Sequence, residues 1–207
     1  MRFQHGEEFV GQRALCAVDR VVEDGQPVDV QPVCWLQDLR REPIDLVDDK
    51  VDGEGLQRLA AIWKLTDPAR FTWERQAEWD GVAVGGTTAA SLQGIGDFFA
   101  SPYRIYAPRR INSRLEAASF AARAINAEDV SWEQGLPITR PERTLVDLCL
   151  DSEDPSLIAN AYRDAGDIGL DYEHLGKLVR ETSATPKREK ALEPLAELMR
   201  AIPKGDR

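Results

Sequence analysis

One turn in the sequence has the residue types that hold phosphate groups. Gly85-Gly86-Thr87-Thr88 follows the apolar run Val82-Ala83-Val84, which is typical of a strand, and opens a stretch typical of a helix. Backbone N–H groups at such a strand-to-helix turn can bind an anion. No lysine follows in the P-loop arrangement, so a Walker-type site is not supported. Gly85, Gly86, Thr87 and Thr88 are therefore candidate phosphate-binding residues.

Two charged groups are candidates for binding a partner. Arg104, Arg109, Arg110 and Arg114 form the densest basic cluster, interleaved with Tyr103 and Tyr106. Such a cluster could contact nucleic acid or phosphate, although a solvated strand end gives the same pattern. Arg143 and Asp147 are four residues apart and can pair on a helix surface. Alternatively, this pair could anchor the partner or the domain core. The partner-binding candidates are Arg109, Arg110, Arg143 and Asp147.

The motifs of common enzymes are largely missing, and the catalytic residues stay unknown. Residues 94–98 resemble half of a kinase Gly-rich loop, but no His-Arg-Asp catalytic loop accompanies them. Two histidines, His5 and His174, give poor support for nucleophilic hydrolysis. The three cysteines are scattered and form no CxxC pair, so we expect reduced thiols and no metal site.

Charge and hydropathy limit the remaining function classes. The 207 residues carry a formal net charge of −10, which disfavours a stand-alone nucleic-acid binder. An acidic chain suits a basic protein partner, although the charge could also serve solubility alone. No apolar run approaches the ~20 residues that span a bilayer, and no signal peptide is apparent. We expect a cytoplasmic protein without a membrane partner.

Hydrophobic periodicity and turn residues predict an α+β fold, with a small mixed sheet, several packed helices and a mainly helical C-terminal half. The pattern predicts strands at 81–85 and 103–107, and helices at 6–23, 32–41, 56–63, 87–93, 155–165, 171–180 and 185–202. Thr139 and Glu142 have the spacing of a capping box before a further helix, with Pro141 in its first turn. Alanines at 114–126 favour helix by propensity.

Four stretches, in order, resemble the AbiEi family of antitoxins: residues 65–71, 82–97, 106–110 and 135–148. The last is the most specific. It reads Gly-Leu-Pro-Ile-Thr-Arg-Pro-Glu-Arg-Thr-Leu-Val-Asp-Leu, where the family has Gly-Leu-Pro-Val-Thr-x-Pro-x-Arg-Thr-Leu-Val-Asp-Leu. The resemblance extends over roughly residues 56–180 and makes 115–124 a strand. It divides the chain into an N-terminal helical region, 1–55, as a degenerate winged helix or a cap, and an antitoxin domain, 56–207.

The resemblance implies an antitoxin that neutralises a cognate nucleotidyltransferase toxin by binding that leads to phosphorylation of a toxin serine. Either the toxin phosphorylates itself, or the antitoxin is an atypical serine protein kinase; both require ATP or another NTP with Mg²⁺. A third reading is a transcriptional regulator of its own operon. The sequence departs from the family at Gln93, where the family has His, and residues 1–55 contain no clear recognition helix. These departures argue against promoter DNA as a partner.

Overall fold

The computed structural model describes residues 53–201 and two short strands nearer the N-terminus. Val22–Glu23 (β1) pairs antiparallel with Gln26–Pro27 (β2). The prediction of a helix over 6–23 is therefore wrong for its last two residues. The Asp-Gly dipeptide between the two strands is a typical hairpin sequence, which explains the difference. The helix predicted at 32–41 lies outside the described residues.

A five-stranded mixed sheet forms the centre of the fold. Its strands are Ala83–Val84 (β3), Tyr103–Ala107 (β4), Ala118–Ala122 (β5), Val130–Glu133 (β6) and Leu136–Thr139 (β7). Their spatial order is β5-β4-β3-β7-β6. The β3–β7 and β4–β5 pairs are parallel, and the β3–β4 and β6–β7 pairs are antiparallel. The predicted small mixed sheet is confirmed, including the strand within 115–124 that the family resemblance implies.

One face of the sheet packs against an N-terminal helix, Gly53–Lys64 (α1). Leu59, Ile62 and Trp63 recur at helical spacing and are buried against Val84 and Ile105 of the sheet. The Trp63 indole N–H donates a hydrogen bond to the Val82 carbonyl, 3.0 Å away. This bond fixes the C-terminal end of α1 at the start of β3.

The C-terminal half is helical, as predicted. Its helices are Pro141–Leu150 (α4), Pro155–Asp167 (α5), Tyr172–Thr182 (α6) and Pro186–Ala201 (α7), and Gly86–Gln93 (α3) packs with them. Helix α4 is central because α3, α5, α6 and α7 all contact it. Residues 142–149 are consequently all buried, the charged ones included. None of the helices in the described part of the chain is long and apolar enough to cross a membrane.

Two predicted helix caps are wrong. Thr139 is the last residue of β7 and does not cap α4, whose N-cap is Arg140. Glu142 instead accepts a hydrogen bond from the Asp171 backbone N–H, at 2.8 Å, so tertiary packing replaces the capping box. Helix α3 begins at Gly86, with Gly85 rather than Thr87 as its N-cap. The predicted stop at Gly94 is confirmed by its left-handed backbone, with φ of 68°.

A short helix and a β-hairpin of the central fold were absent from the sequence predictions. A short helix, Thr72–Ala77 (α2), follows Phe71, whose N–H donates to the Glu74 carboxylate at 2.7 Å. The β6–β7 hairpin turns through Gln134 and Gly135, which both have positive φ, as a type I′ turn requires. Gln-Gly is a weaker signal for this turn than Asn-Gly.

Candidate functional site

A chain of alternating basic and acidic side chains runs between the sheet and α4. Ion pairs join its neighbouring members, except at the end of the chain, where Asp129 and His174 are hydrogen-bonded. In spatial order, this ion network consists of Arg104, Asp151, Arg123, Asp147, Arg143, Asp129 and His174. Strand β4 and the residue after β5 supply two arginines, whereas α4 and its C-cap supply Arg143 and the two central carboxylates. The network therefore ties the sheet to the helical half.

Three donors fix the Asp151 carboxylate at one end of the network. Arg104 and Tyr106 project from the same face of β4 because they are two residues apart. Asp151 Oδ2 accepts hydrogen bonds from Tyr106 Oη at 2.7 Å and from Arg104 Nε at 3.0 Å. Arg123 Nη2 donates to Oδ1 at 2.6 Å. Both oxygens of Asp151 are thus occupied by the protein's own side chains.

The Arg143–Asp147 pair lies in the centre of the network. Arg143 Nε is 3.1 Å from each Asp147 carboxylate oxygen, and Arg123 Nη1 lies 2.9 Å from Oδ1. Asp147 is fully buried and Arg143 is 8% exposed. The predicted pairing is confirmed, but its predicted location on the helix surface is wrong because other helices surround α4. These two residues contact the domain core.

The far end of the network joins α4 to α6 through a 3-10 turn at Ala127–Asp129. Asp129 is fully buried, and its Oδ1 lies 3.0 Å from His174 Nε2. Its Oδ2 is 3.7 Å from Arg143 Nη1 and has no hydrogen-bond partner among the described residues. His174 is in the first turn of α6, whose N-cap is Asp171. This end of the network therefore sets the position of α6.

Burial and charge shift the pKa values of several network groups. Burial raises the pKa of the Asp147 carboxyl, and the charges of Arg143 and Arg123 oppose that shift. Burial alone would lower the pKa of Arg123, but Asp147, Tyr106 and Asp151 raise it overall. Burial, followed by the negative charge of Asp147, holds the pKa of Tyr106 well above its usual range. Tyr106 therefore stays protonated and donates to Asp151 at neutral pH.

The Gly85–Thr88 turn lies against the network. A β-carbon on Gly85 would be 2.2 Å from Tyr106 Cε2, and one on Gly86 would be 2.7 Å from Tyr106 Oη. The Thr88 hydroxyl donates to the Ala100 carbonyl at 2.6 Å and accepts from the Arg104 N–H at 2.7 Å. Close packing against β4 thus explains both glycines and Thr88 without a phosphate.

The other two partner-binding candidates lie apart from the network. Arg109 and Arg110 are exposed in the loop that follows β4. Neither guanidinium pairs with any residue of the described chain. The structure therefore separates the four candidates into a buried pair, Arg143 and Asp147, and an exposed pair, Arg109 and Arg110.

Sequence reasoning missed Arg123, Asp129, Asp151 and His174 as members of one site. Arg123 lies in an alanine-rich stretch, and His174 is 45 residues from the aspartate it contacts. The sequence feature that could have indicated these residues is the presence of charged side chains inside otherwise apolar stretches. Such residues need partners when they are buried.

The arrangement is suited to positioning the helices on the sheet. Each carboxylate of Asp147 and Asp151 is bound by two guanidinium groups. Within residues 53–201, no three His, Cys, Asp or Glu side chains are grouped so that they could hold a metal ion. No family model, curated protein or solved structure matches this chain.

Proposed function

We propose that this chain is an antitoxin that neutralises a cognate nucleotidyltransferase toxin by direct binding, which leads to phosphorylation of a toxin serine. The supporting observation is that three of the four family-like stretches fold side by side. They form β3 with α3, the end of β4, and β7 with α4. Strand β3 lies between β4 and β7, and α3 packs on α4. These three stretches therefore form one contiguous structural unit.

We favour induced self-phosphorylation of the toxin over an atypical kinase activity of this chain. Phosphoryl transfer needs carboxylate oxygens that bind Mg²⁺ and a cradle for the triphosphate. The carboxylates of Asp147 and Asp151 are taken by arginines, and the glycine turn is filled by Tyr106. A nucleotidyltransferase toxin already binds a triphosphate with its metal. The antitoxin then needs only to reposition a toxin serine towards that site.

Intact-mass spectrometry of the toxin tests this proposal. The full-length protein is mixed with the toxin encoded beside it, Mg²⁺ and either ATP or CTP. A toxin variant without its metal-binding carboxylates is treated in parallel. We expect a phosphate on the active toxin alone. A phosphate on both toxins would make this chain a kinase, and unchanged toxin activity in its presence would refute the antitoxin function.

A further inference from the structure

Two exposed features lie at the same end of the central sheet. The register pairs Ala83 with Tyr106 in the antiparallel β3–β4 pair and Val84 with Ile138 in the parallel β3–β7 pair. The start of β3, the end of β4 and the β6–β7 turn are therefore neighbours. Helix α2 and the loop after β4 both lie at this end.

The first feature is a set of three exposed apolar side chains between the end of α1 and the first turn of α2. Leu65 is 38% exposed, Phe71 36% and Trp73 65%. The rings of Phe71 and Trp73 are stacked, with centroids 6.2 Å apart and planes inclined by 8°. Thr72 lies beside the β6–β7 turn, since a β-carbon on Gly135 would be 3.8 Å from Thr72 Cγ2. Exposed apolar side chains that adjoin one another mark binding surfaces more often than those that are scattered singly.

Helix α2, which carries Trp73, is fixed to the rest of the fold by the buried side chain of Arg75. Arg75 is 1% exposed, and its guanidinium lies 3.5 Å from the centre of the Trp63 ring. Its Nε is 2.6 Å from Asp80 Oδ2, and its Nη1 donates to the Trp63 carbonyl at 3.2 Å. Because α2 is already ordered, little further entropy is lost when Trp73 binds a partner.

The second feature is the exposed Arg109–Arg110 pair. Pro108 precedes it and contacts the segment that follows α2, since a β-carbon on Gly81 would be 3.4 Å from the Pro108 ring. Pro108 and Gly135 are two strand spacings apart, about 10 Å. A standard interface covers about 800 Å² on each partner, so one footprint includes both features.

The chemistry of this surface fits a protein partner better than a nucleic acid. Tryptophan and arginine are enriched among residues that dominate protein–protein binding. Glu74 lies on α2 and Glu78 is its C-cap residue, so the charges of the surface are mixed. A polyanion would meet these carboxylates and a chain of net charge −10. A protein partner, by contrast, can place carboxylates opposite Arg109 and Arg110 without placing any opposite Glu74 and Glu78.

We propose that Leu65, Phe71, Trp73, Arg109 and Arg110 form the surface that docks the toxin. The toxin would receive Trp73 in an apolar pocket and present carboxylates to Arg109 and Arg110. This inference rests on the proposed antitoxin function and names the contacts through which it acts.

Titration of toxin with the full-length protein and its variants tests the inference. We expect Trp73→Ala to raise the Kd at least about 30-fold, as for a dominant interface residue. The double variant Arg109→Glu/Arg110→Glu should raise it about 10-fold, with a smaller effect at high salt. Phe99→Ala is the matched control because Phe99 is 63% exposed at the opposite end of β4. The double variant Lys187→Glu/Arg188→Glu, at exposed positions in the first turn of α7, is the matched charge control.

The outcomes separate this inference from the antitoxin function. Unchanged toxin affinity in the Trp73 and arginine variants, with neutralisation intact, would overturn the surface alone. The wild-type protein is also tested for dimerisation by light scattering and for tRNA binding by gel shift. If the variants lose either property while their toxin affinity is unchanged, the surface binds a second copy or tRNA and the inference is overturned. Absence of toxin binding by the wild-type protein would refute both proposals. Equal melting temperatures would show that the variants are folded.

Discussion

Two pairs of charged residues, both predicted from the sequence to bind a partner, have opposite environments. Arg143 and Asp147 are buried in α4, where guanidinium and carboxylate satisfy each other. Arg109 and Arg110 are exposed and have no ion-pair partner in the described part of the chain. The comparison shows that residue type alone did not distinguish an exposed arginine from a core arginine. The deciding factor is whether the element that carries the residue is surrounded.

The buried and the exposed pair should differ in the free energy that is lost when one of their residues is removed. An ion pair in the core is costly to break because one charge is left without water and without a partner. An arginine on the surface loses little when it is removed from the free protein. The buried ion network should therefore control stability, and the exposed docking surface should control binding.

Removal of Asp147 should have the largest effect. Asp147→Ala leaves Arg143 and Arg123 without their shared carboxylate, so we expect the free energy of unfolding to fall by about 3–5 kcal/mol. Urea denaturation followed by circular dichroism measures the change. Arg110→Ala is the control and should stay within about 0.5 kcal/mol of wild type. If Asp147→Ala and Arg110→Ala lowered the free energy of unfolding equally, the buried and the exposed charges would not differ in their contribution to stability.

Local structure was largely predictable from the sequence. The strand at 103–107 ends before a proline, and Gly94 ends α3, because both signals act through their own backbone geometry. The cap predicted at Thr139 failed because Thr139 pairs with Val130 as the last residue of β7, and Glu142 accepts from the distant Asp171 N–H. Local patterns thus predict an element until a tertiary contact competes with it.

The ion network could not be predicted in the same way. Its members come from β4, the residue after β5, a 3-10 turn, α4 with its C-cap, and α6, and their pairing depends on how these elements pack. Four neighbouring helices bury nearly the whole of α4, including its charged residues. Periodicity reveals a one-sided core but not a helix that is enclosed on all sides.

A smaller loss of stability is expected when a substitution shifts the ion network but removes none of its charges. Gly85→Ala would place a methyl group against the Tyr106 ring, which its bond to Asp151 holds in place. Gly85 has φ of −151°, so alanine suffers no backbone strain, and only overpacking acts. We expect a loss of about 1–3 kcal/mol in urea denaturation. Gly53→Ala, with no atom near its added methyl, should not destabilise the protein; a similar loss there would refute the packing explanation.

The subtlest test is the reactivity of Cys149, which lies in α4 between the network and α7. Burial raises its pKa to about 12, so at pH 8 only about one thiol in 10,000 would be ionised even with free access. In a Cys16→Ser/Cys34→Ser background, iodoacetamide should therefore label native protein at the rate at which α4 becomes exposed. Gly85→Ala should accelerate this labelling because it loosens the packing of the network, whereas Trp73→Ala should leave it unchanged. Faster labelling in Trp73→Ala would mean that the docking surface and the network are coupled, so that toxin binding could reach the core through α2.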